Sequence, residues 1–213
     1  MDNKEITEAV SRRRLALGNA QADPEVLAAF APYGYDAAKL VAGLEMIDQL
    51  ETLSHAQATE YGEQIGATQA LTATLAGIQK KYSNAVAIAR VELADDAAAI
   101  TTLRLSGRRE RSLARWLNQA TAFYKGLLAH PAWLNALGGY DEARVQAELA
   151  QVEQVAELDR QQEKETGEAH AATKARDAQF DACHDWWTRY VAYANVALED
   201  QPDKLKLVTQ GEI

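Results

Sequence analysis

The chain has 213 residues, of which 47% are hydrophobic and 25% charged, a balance typical of a folded globular protein. The 42 alanines, against 12 glycines and 4 prolines, favour helices and argue against an all-β fold. The net charge of −9 predicts that the protein as a whole repels nucleic acid and anionic membranes. A single cysteine fits a reducing compartment. Because no secretory signal and no apolar run of bilayer length stands out, a cytoplasmic location is expected.

The sequence aligns with itself at an offset of 105 residues. Between Tyr35 and Asp95, 21 of 61 positions are identical without a gap, where chance would give roughly five or six in so alanine-rich a chain. After a two-residue slip the register continues upstream, with Pro24 aligned to Pro131. We therefore predict two homologous helical repeats, residues 1–107 and 108–213, packed as one structural unit.

Each repeat is predicted to contain a first helix, a short helical turn, a long helix and a short tail. Pro24 and Pro131 suit the first turn of a helix, where a missing N–H costs nothing. Asp36 and Asp141 are predicted to cap the two long helices. Pro202 is predicted to stop the second one.

Apolar residues recur every three or four positions along both long segments, close to the 3.5-residue spacing of coiled coils. At their centres the predicted stripes turn polar and run through Gln57, Tyr61, Ile65 and Thr68 in the first segment and Gln162, Thr166, His170 and Thr173 in the second. Neither stripe can be buried alone. The sequence therefore predicts an all-α fold, an elongated antiparallel helical bundle in which each unit has a short helix and a long helix of about 60 residues.

Glycines interrupt both long segments near their centres, at Gly62, Gly66 and Gly167. Because no Asn, Asp or Pro follows to build a loop, we interpret them as places where another backbone approaches closely. The alternative is a hairpin at each site, which would make each repeat a three-helix bundle of spectrin-like size.

Glutamates recur at matching places near these glycines. Glu60, Glu63, Glu165 and Glu168, with His170, would form a carboxylate-rich metal site if the long helices cross there. However, ferritin-like proteins use Glu-x-x-His, which puts both ligands on one helix face, whereas His170 lies two residues after Glu168. The prediction is therefore a solvated acidic face, with metal binding as the alternative and no cofactor expected.

A cluster of arginines stands out in this acidic chain: Arg104, Arg108, Arg109, Arg111 and Arg115. Guanidinium groups bind phosphate and carboxylate well, so an acidic partner is one interpretation. The other, which we favour, is neutralisation of the chain's own acidic second long helix. No equivalent cluster occurs at the corresponding place in the first repeat.

Aromatic residues crowd the end of the second long segment, at Trp186, Trp187, Tyr190 and Tyr193. The preceding predicted helix also carries aromatic residues, Trp116, Phe123, Tyr124 and Trp133. Packing of these two helices against each other explains both groups best, and an exposed patch for a partner is the alternative. Cys183 is predicted to be a buried structural thiol. No catalytic residues are predicted, because the common catalytic motifs are missing from the sequence.

The ends of the two copies carry the pattern Ala89, Val91, Leu93 and Asp95 in the first, and Ala194, Val196, Leu198 and Asp200 in the second. With the Trp186-Trp187 pair, this pattern resembles a set of bacterial all-helical proteins that contain paired copies and have no assigned activity. The resemblance implies an all-helical fold and no catalytic or binding residues. We therefore expect a non-catalytic scaffold or protein-interaction protein that binds a protein partner or itself. The alternatives are a carboxylate-rich metal-binding bundle and a helical protein that opens on a membrane.

Overall fold

A computed structural model describes residues 3–211 of the chain. The helices in this range are α1 (Asn3–Ala22), α2 (Pro24–Phe30), α3 (Ala37–Glu92), α4 (Ala97–Thr102), α5 (Leu113–Ala129), α6 (Pro131–Ala136), α7 (Glu142–Ala197) and α8 (Pro202–Thr209), with a 3₁₀ turn at Ala31–Tyr33. Residues 3–211 contain no strand, and the predicted all-α class is confirmed. Within the same range, every helix is too short or too polar to cross a membrane.

The two long helices, α3 and α7, contain 56 residues each. Both bounds of α7 lie 105 positions after the corresponding bounds of α3, and α8 begins 105 positions after α4. The helices thus repeat at the spacing at which the sequence aligns with itself. The common origin of the two halves stays a prediction.

Aspartates begin the long helices, as predicted. The backbone N–H of Lys39 donates to Oδ1 of Asp36 at 2.9 Å, and that of Arg144 donates to Oδ1 of Asp141 at 2.7 Å. Each bond satisfies one of the N–H groups that a first helical turn leaves without a partner. The first residue of each long helix is therefore fixed by local chemistry that the sequence displays.

Prolines begin three short helices. Pro24 and Pro131 lie in the first turns of α2 and α6, as predicted. Pro202 holds the same place in α8, several residues after α7 has ended at Ala197. Its role is therefore to start the next helix rather than to stop α7.

Helices α3 and α7 continue unbroken through the central glycines. A Cβ atom added at Gly62, Gly66 or Gly167 would meet nothing within 4 Å. The predicted close backbone approach is therefore wrong, and so is the hairpin required by the spectrin-like alternative. An isolated glycine costs a helix only about 1 kcal/mol, which a helix packed along most of its length tolerates.

The chain divides into two compact units that cut across the sequence repeats. The first consists of Met1–Gly62 and Gly167–Ile213, and the second of Glu63–Thr166. Each unit contains the early part of one long helix, the late part of the other, and the short helices that flank them. The predicted repeat boundary near Gly107 lies inside the second unit, in the loop between α4 and α5.

In the first unit, α3 and α7 run antiparallel. The backbone oxygen of Met46 accepts bonds from Nε2 of Gln179 at 3.0 Å and from Sγ of Cys183 at 3.3 Å. Further along α3, Oε1 of Gln57 accepts from Nη1 of Arg176 at 3.2 Å. Later residues of α7 thus pair with earlier residues of α3.

The second unit shows the same antiparallel pairing and encloses an aromatic core. Nζ of Lys81 donates to Oε1 of Gln151 at 2.9 Å. Next to this contact, the buried ring of Tyr82 meets Trp116 and Phe123 edge to face, with centroids 5.9 and 5.5 Å apart. Helix α5 is therefore held against the late part of α3 by aromatic packing.

The buried face of α3 departs from the predicted stripe at its centre. Tyr61 and Ile65, both placed on the stripe, are 55% and 42% exposed. The residues that face the interior are Glu60 and Gln64, which are half-buried, and Ala67, which is buried. The prediction of the stripe is wrong here by one residue, or about 100° around the helix.

Helix α7 shows the same displacement, because His170 is exposed while Glu165 and Ala169 are buried. The physical reason lies in the spacing, which is best seen in α3. Two series of residues spaced by three or four positions lead from Gln57 to Leu71: the predicted one passes through positions 61, 65 and 68, and the observed one through positions 60, 64 and 67. Apolar side chains normally decide between such series. Here the interior is lined by polar and small residues. Tyr61 and Ile65, the apolar residues at the centre of α3, therefore pointed to the wrong face of the helix.

Candidate functional site

The five residues predicted as the alternative metal cluster are divided between the two compact units. Glu60, Glu168 and His170 belong to the first unit, and Glu63 and Glu165 belong to the second. Glu168 and His170 are exposed. Within the second unit, one carboxylate oxygen of Glu63 lies within 4.8 Å of one of Glu165. These two side chains come from different long helices.

Glu165 is buried, with 7% of its surface exposed. Its Oε1 atom lies 3.6 Å from Nζ of Lys164, whose side chain is largely exposed. Its Oε2 atom is buried and has no hydrogen-bond partner among the described residues. A buried carboxylate oxygen without a donor is costly, so this atom is the most unusual polar group of the second unit's helix pair.

Polar residues surround Glu165 but bond to one another. The hydroxyl Oγ1 of Thr166 accepts from Nε2 of Gln162 at 2.9 Å and from Nε2 of Gln64 at 3.5 Å. The same hydroxyl donates to the backbone oxygen of Gln162 at 2.8 Å. The predicted solvated acidic face is wrong for Glu165, which is buried although it is not among the residues of the predicted stripe.

The arginine cluster lies in the second unit, on the loop between α4 and α5 and at the start of α5. Arg109 holds this loop together: its Nη2 atom donates to the backbone oxygens of Arg104 at 2.9 Å and Ser106 at 3.1 Å. Its Nη1 atom donates to the hydroxyl of Tyr82 at 3.0 Å. Arg109 is thus a structural residue of the loop.

Arg90, which was not singled out from the sequence, fixes the same loop from α3. Its Nε atom donates to the backbone oxygen of Leu105 at 2.7 Å, and its Nη2 atom donates to that of Gly107 at 2.7 Å. Carbonyl groups that would otherwise need water are satisfied by guanidinium donors. The loop therefore has a defined conformation.

Arg104 is exposed and does not line the depression at the start of α5. The other three arginines of the cluster, Arg108, Arg111 and Arg115, are also exposed. They line this open depression together with Arg109, Glu110 and Ser112. Within residues 3–211 these three side chains form no ion pair or hydrogen bond. They therefore form no ion pair with the acidic second long helix, and the interpretation that they neutralise its charge stays a prediction.

The start of α5 adds to the positive potential of this depression. Helix α5 has no acidic residue in its first turn, and the Ser112 side chain at the N-cap makes no capping bond. The unpaired N–H groups of a first turn carry a partial positive charge. The depression therefore combines free guanidinium groups with the positive end of a helix.

The aromatic residues at the end of α7 mainly pack in the core of the first unit, whereas Trp116, Phe123 and Tyr124 belong to the core of the second unit. The predicted packing of these two aromatic groups against each other is therefore wrong. Trp187 and Tyr190 are buried, and Trp186 is half-buried and stacked on Tyr190 with the rings 5.5 Å apart. Tyr193 is 44% exposed and packs against the similarly exposed Tyr33. The exposed aromatic surface is therefore limited to the rim of this cluster.

Two buried charged groups were missed by the sequence analysis. Arg13 lies between the rings of Phe180 and Trp187, 5.7 and 5.6 Å from their centroids. Glu148 accepts from the hydroxyl of Tyr124 at 2.9 Å and from Nε of Arg144 at 3.1 Å. Burial and the Glu148 carboxylate raise the pKa of Tyr124. Such groups fix the packing of their units.

The Cys183 thiol is buried, as predicted. Burial raises the pKa of Cys183, which disfavours the reactive thiolate. This agrees with a structural rather than a nucleophilic residue.

Comparison with known proteins adds no functional assignment, since no family model, curated protein or solved structure matches the chain.

Proposed function

We propose that the protein is a non-catalytic helical interaction protein that binds an acidic segment of a partner protein through the depression at the start of α5. The observation that carries this proposal is that Arg108, Arg111 and Arg115 are exposed and uncommitted. The first two lie on a loop that Arg90 and Arg109 hold in shape, and Arg115 lies in the first turn of α5. Because the loop is already ordered, little conformational entropy is lost when a partner binds.

The chemistry of the depression favours carboxylates. A guanidinium group presents paired N–H donors that match a carboxylate, and the α5 N-terminus adds backbone donors. The net charge of −9 repels a long polyanion such as nucleic acid. A short acidic peptide segment can contact the local positive surface without lying along the acidic remainder of the protein.

A fluorescein-labelled peptide of eight glutamates tests this proposal by fluorescence anisotropy. The variant Arg108→Gln/Arg111→Gln/Arg115→Gln should weaken binding at least about tenfold, because each lost guanidinium contact is worth on the order of 1 kcal/mol. The control Lys39→Gln/Lys80→Gln/Lys125→Gln removes the same charge from exposed positions outside the depression and should change binding less than about twofold.

Equal losses in the two triple variants would show that only the net charge matters and would contradict the proposal. So would the absence of saturable binding by the wild-type protein below about 1 mM peptide at low salt.

A further inference from the structure

We propose that Glu63 and Glu165 hold a hard divalent cation, bound independently of the arginine depression. The two carboxylates come from α3 and α7, and their nearest oxygens lie within 4.8 Å of one another. This separation is close to the span of two oxygens that coordinate one ion from different sides, since each oxygen lies at about 2.0–2.6 Å from Mg²⁺ or Ca²⁺.

The buried oxygen of Glu165 is the independent observation that points to a ligand. Its Oε2 atom has no donor among the described residues, and the side chain is 90% buried. Lys164 approaches the other oxygen, Oε1, and its own side chain is 64% exposed. One oxygen of Glu165 therefore has no hydrogen-bonding partner among the described residues.

The carboxylate of Glu63, close to that of Glu165, is a second reason to expect a cation. Two ionised carboxylates at this distance repel each other, and the repulsion is larger where one of them is shielded from water. The neighbouring Gln162, Gln64 and Thr166 do not relieve it, because the two amide groups donate to the hydroxyl of Thr166 and this hydroxyl donates to the backbone oxygen of Gln162. A divalent ion between the two carboxylates removes the repulsion, and Glu165 has in Oε2 an oxygen that no other group uses.

The donor set determines the class of metal. Only carboxylate oxygens are contributed, and such ligands suit Mg²⁺, Mn²⁺ and Ca²⁺ rather than metals that prefer nitrogen or sulfur. Glu63 is exposed, so water can reach the ion and complete its coordination. With two protein carboxylates we expect weak binding, with a Kd of about 0.1–1 mM.

The test is a titration of the whole protein with Mn²⁺, in which the EPR signal of the free ion reports how much is bound. The wild-type protein should take up one Mn²⁺ ion per chain, and Mg²⁺ or Ca²⁺ should displace it. Glu63→Gln and Glu165→Gln should each weaken binding at least about tenfold, because each removes a charged ligand. The matched control Glu163→Gln removes an exposed charge two residues from Glu165 and should change the Kd less than about twofold.

Glu63→Gln is the decisive variant, because Glu63 is exposed and its replacement leaves the helix packing intact. Unchanged Mn²⁺ affinity in this variant would overturn the proposal. It would also be overturned if the wild-type protein showed no saturable uptake up to roughly 10 mM Mn²⁺, or if Glu163→Gln lost as much affinity as the two site variants. Binding of the acidic peptide is measured separately, so either proposal can fail without the other.

Discussion

Replacement of Gly43 by alanine should destabilise the protein, although alanine is the better helix former. Gly43 lies in α3 of the first unit, under the indole ring of Trp186. A Cβ atom at this position would lie 2.4 Å from Cη2 and 2.7 Å from Cζ2 of that ring. Real Cβ contacts are much longer, so the ring or the helix backbone has to move.

The ring has little freedom to move without loss. Trp186 is stacked on Tyr190 with an interplanar angle of 9°, and it meets Tyr35 edge to face at 5.8 Å. Each aromatic pair is worth about 0.5–1.5 kcal/mol beyond burial, and overpacking typically costs about 1–3 kcal/mol. The gain in helix propensity, about 1 kcal/mol, offsets part of this cost.

Gly62 provides the matched control, because it lies in the same helix and a Cβ there meets nothing within 4 Å. Gly62→Ala should raise the free energy of unfolding by up to about 1 kcal/mol, whereas Gly43→Ala should fall below Gly62→Ala by about 1–3 kcal/mol. Urea denaturation followed by circular dichroism measures both, and tryptophan fluorescence reports the displaced indole. If Gly43→Ala is as stable as Gly62→Ala, the close packing of Trp186 is refuted.

Three further predictions concern buried or capping polar groups. Tyr124→Phe should lower the free energy of unfolding by about 1.5–3 kcal/mol in urea denaturation, because the Glu148 carboxylate loses a donor. Tyr190→Phe should lower it by only about 0.5–1.5 kcal/mol, because the Tyr190 hydroxyl donates to the neutral backbone oxygen of Val208. Equal losses in the two variants would contradict this reasoning. Burial raises the pKa values of Tyr82, Tyr124 and Tyr190, so the native protein keeps protons that the unfolded chain releases above about pH 10. The urea concentration at the unfolding midpoint should therefore decrease as the pH is raised from about 9 to about 11. A midpoint that does not change with pH would argue against this burial. Asp96 accepts from the backbone N–H of Ala99 at 2.9 Å and from Nε1 of Trp133 at 2.8 Å, so Asp96→Ala should lower Tm by a few degrees in thermal unfolding while the neighbouring Asp95→Ala leaves it unchanged.

The sequence predicted the helices well because their signals are local. Capping by Asp36 and Asp141 and the prolines at helix starts depend on residues within one turn of each other. The long helices follow from an apolar repeat sustained over many turns. None of these signals depends on which residues of another helix pack against the predicted helix.

The buried charged groups could not be predicted, for the opposite reason. Arg13 is buried because Phe180 and Trp187 enclose it, and these rings lie far along the chain. Glu165 is not among the residues of the predicted stripe because a polar interior gives no hydrophobic pattern from which its face can be read. The arginines of the loop were found from the sequence, but only the structure separates Arg109, which is structural, from Arg108.

The polar centre of the helix pairing has a physical rationale that does not require a ligand. Antiparallel helices with an apolar repeat can slide by one heptad and still bury similar side chains. In the first unit, the bond from Arg176 to Gln57 penalises such a slip, because the buried guanidinium would then face apolar residues. In the second unit, the bond from Gln64 to Thr166 acts in the same way, but Glu165 does not fit this explanation. A residue that only fixed register would have its polar atoms paired, and Oε2 of Glu165 is not. The unpaired oxygen therefore separates a register-setting role from a binding role, and it places the proposed cation at Glu63 and Glu165 rather than elsewhere along the polar centre.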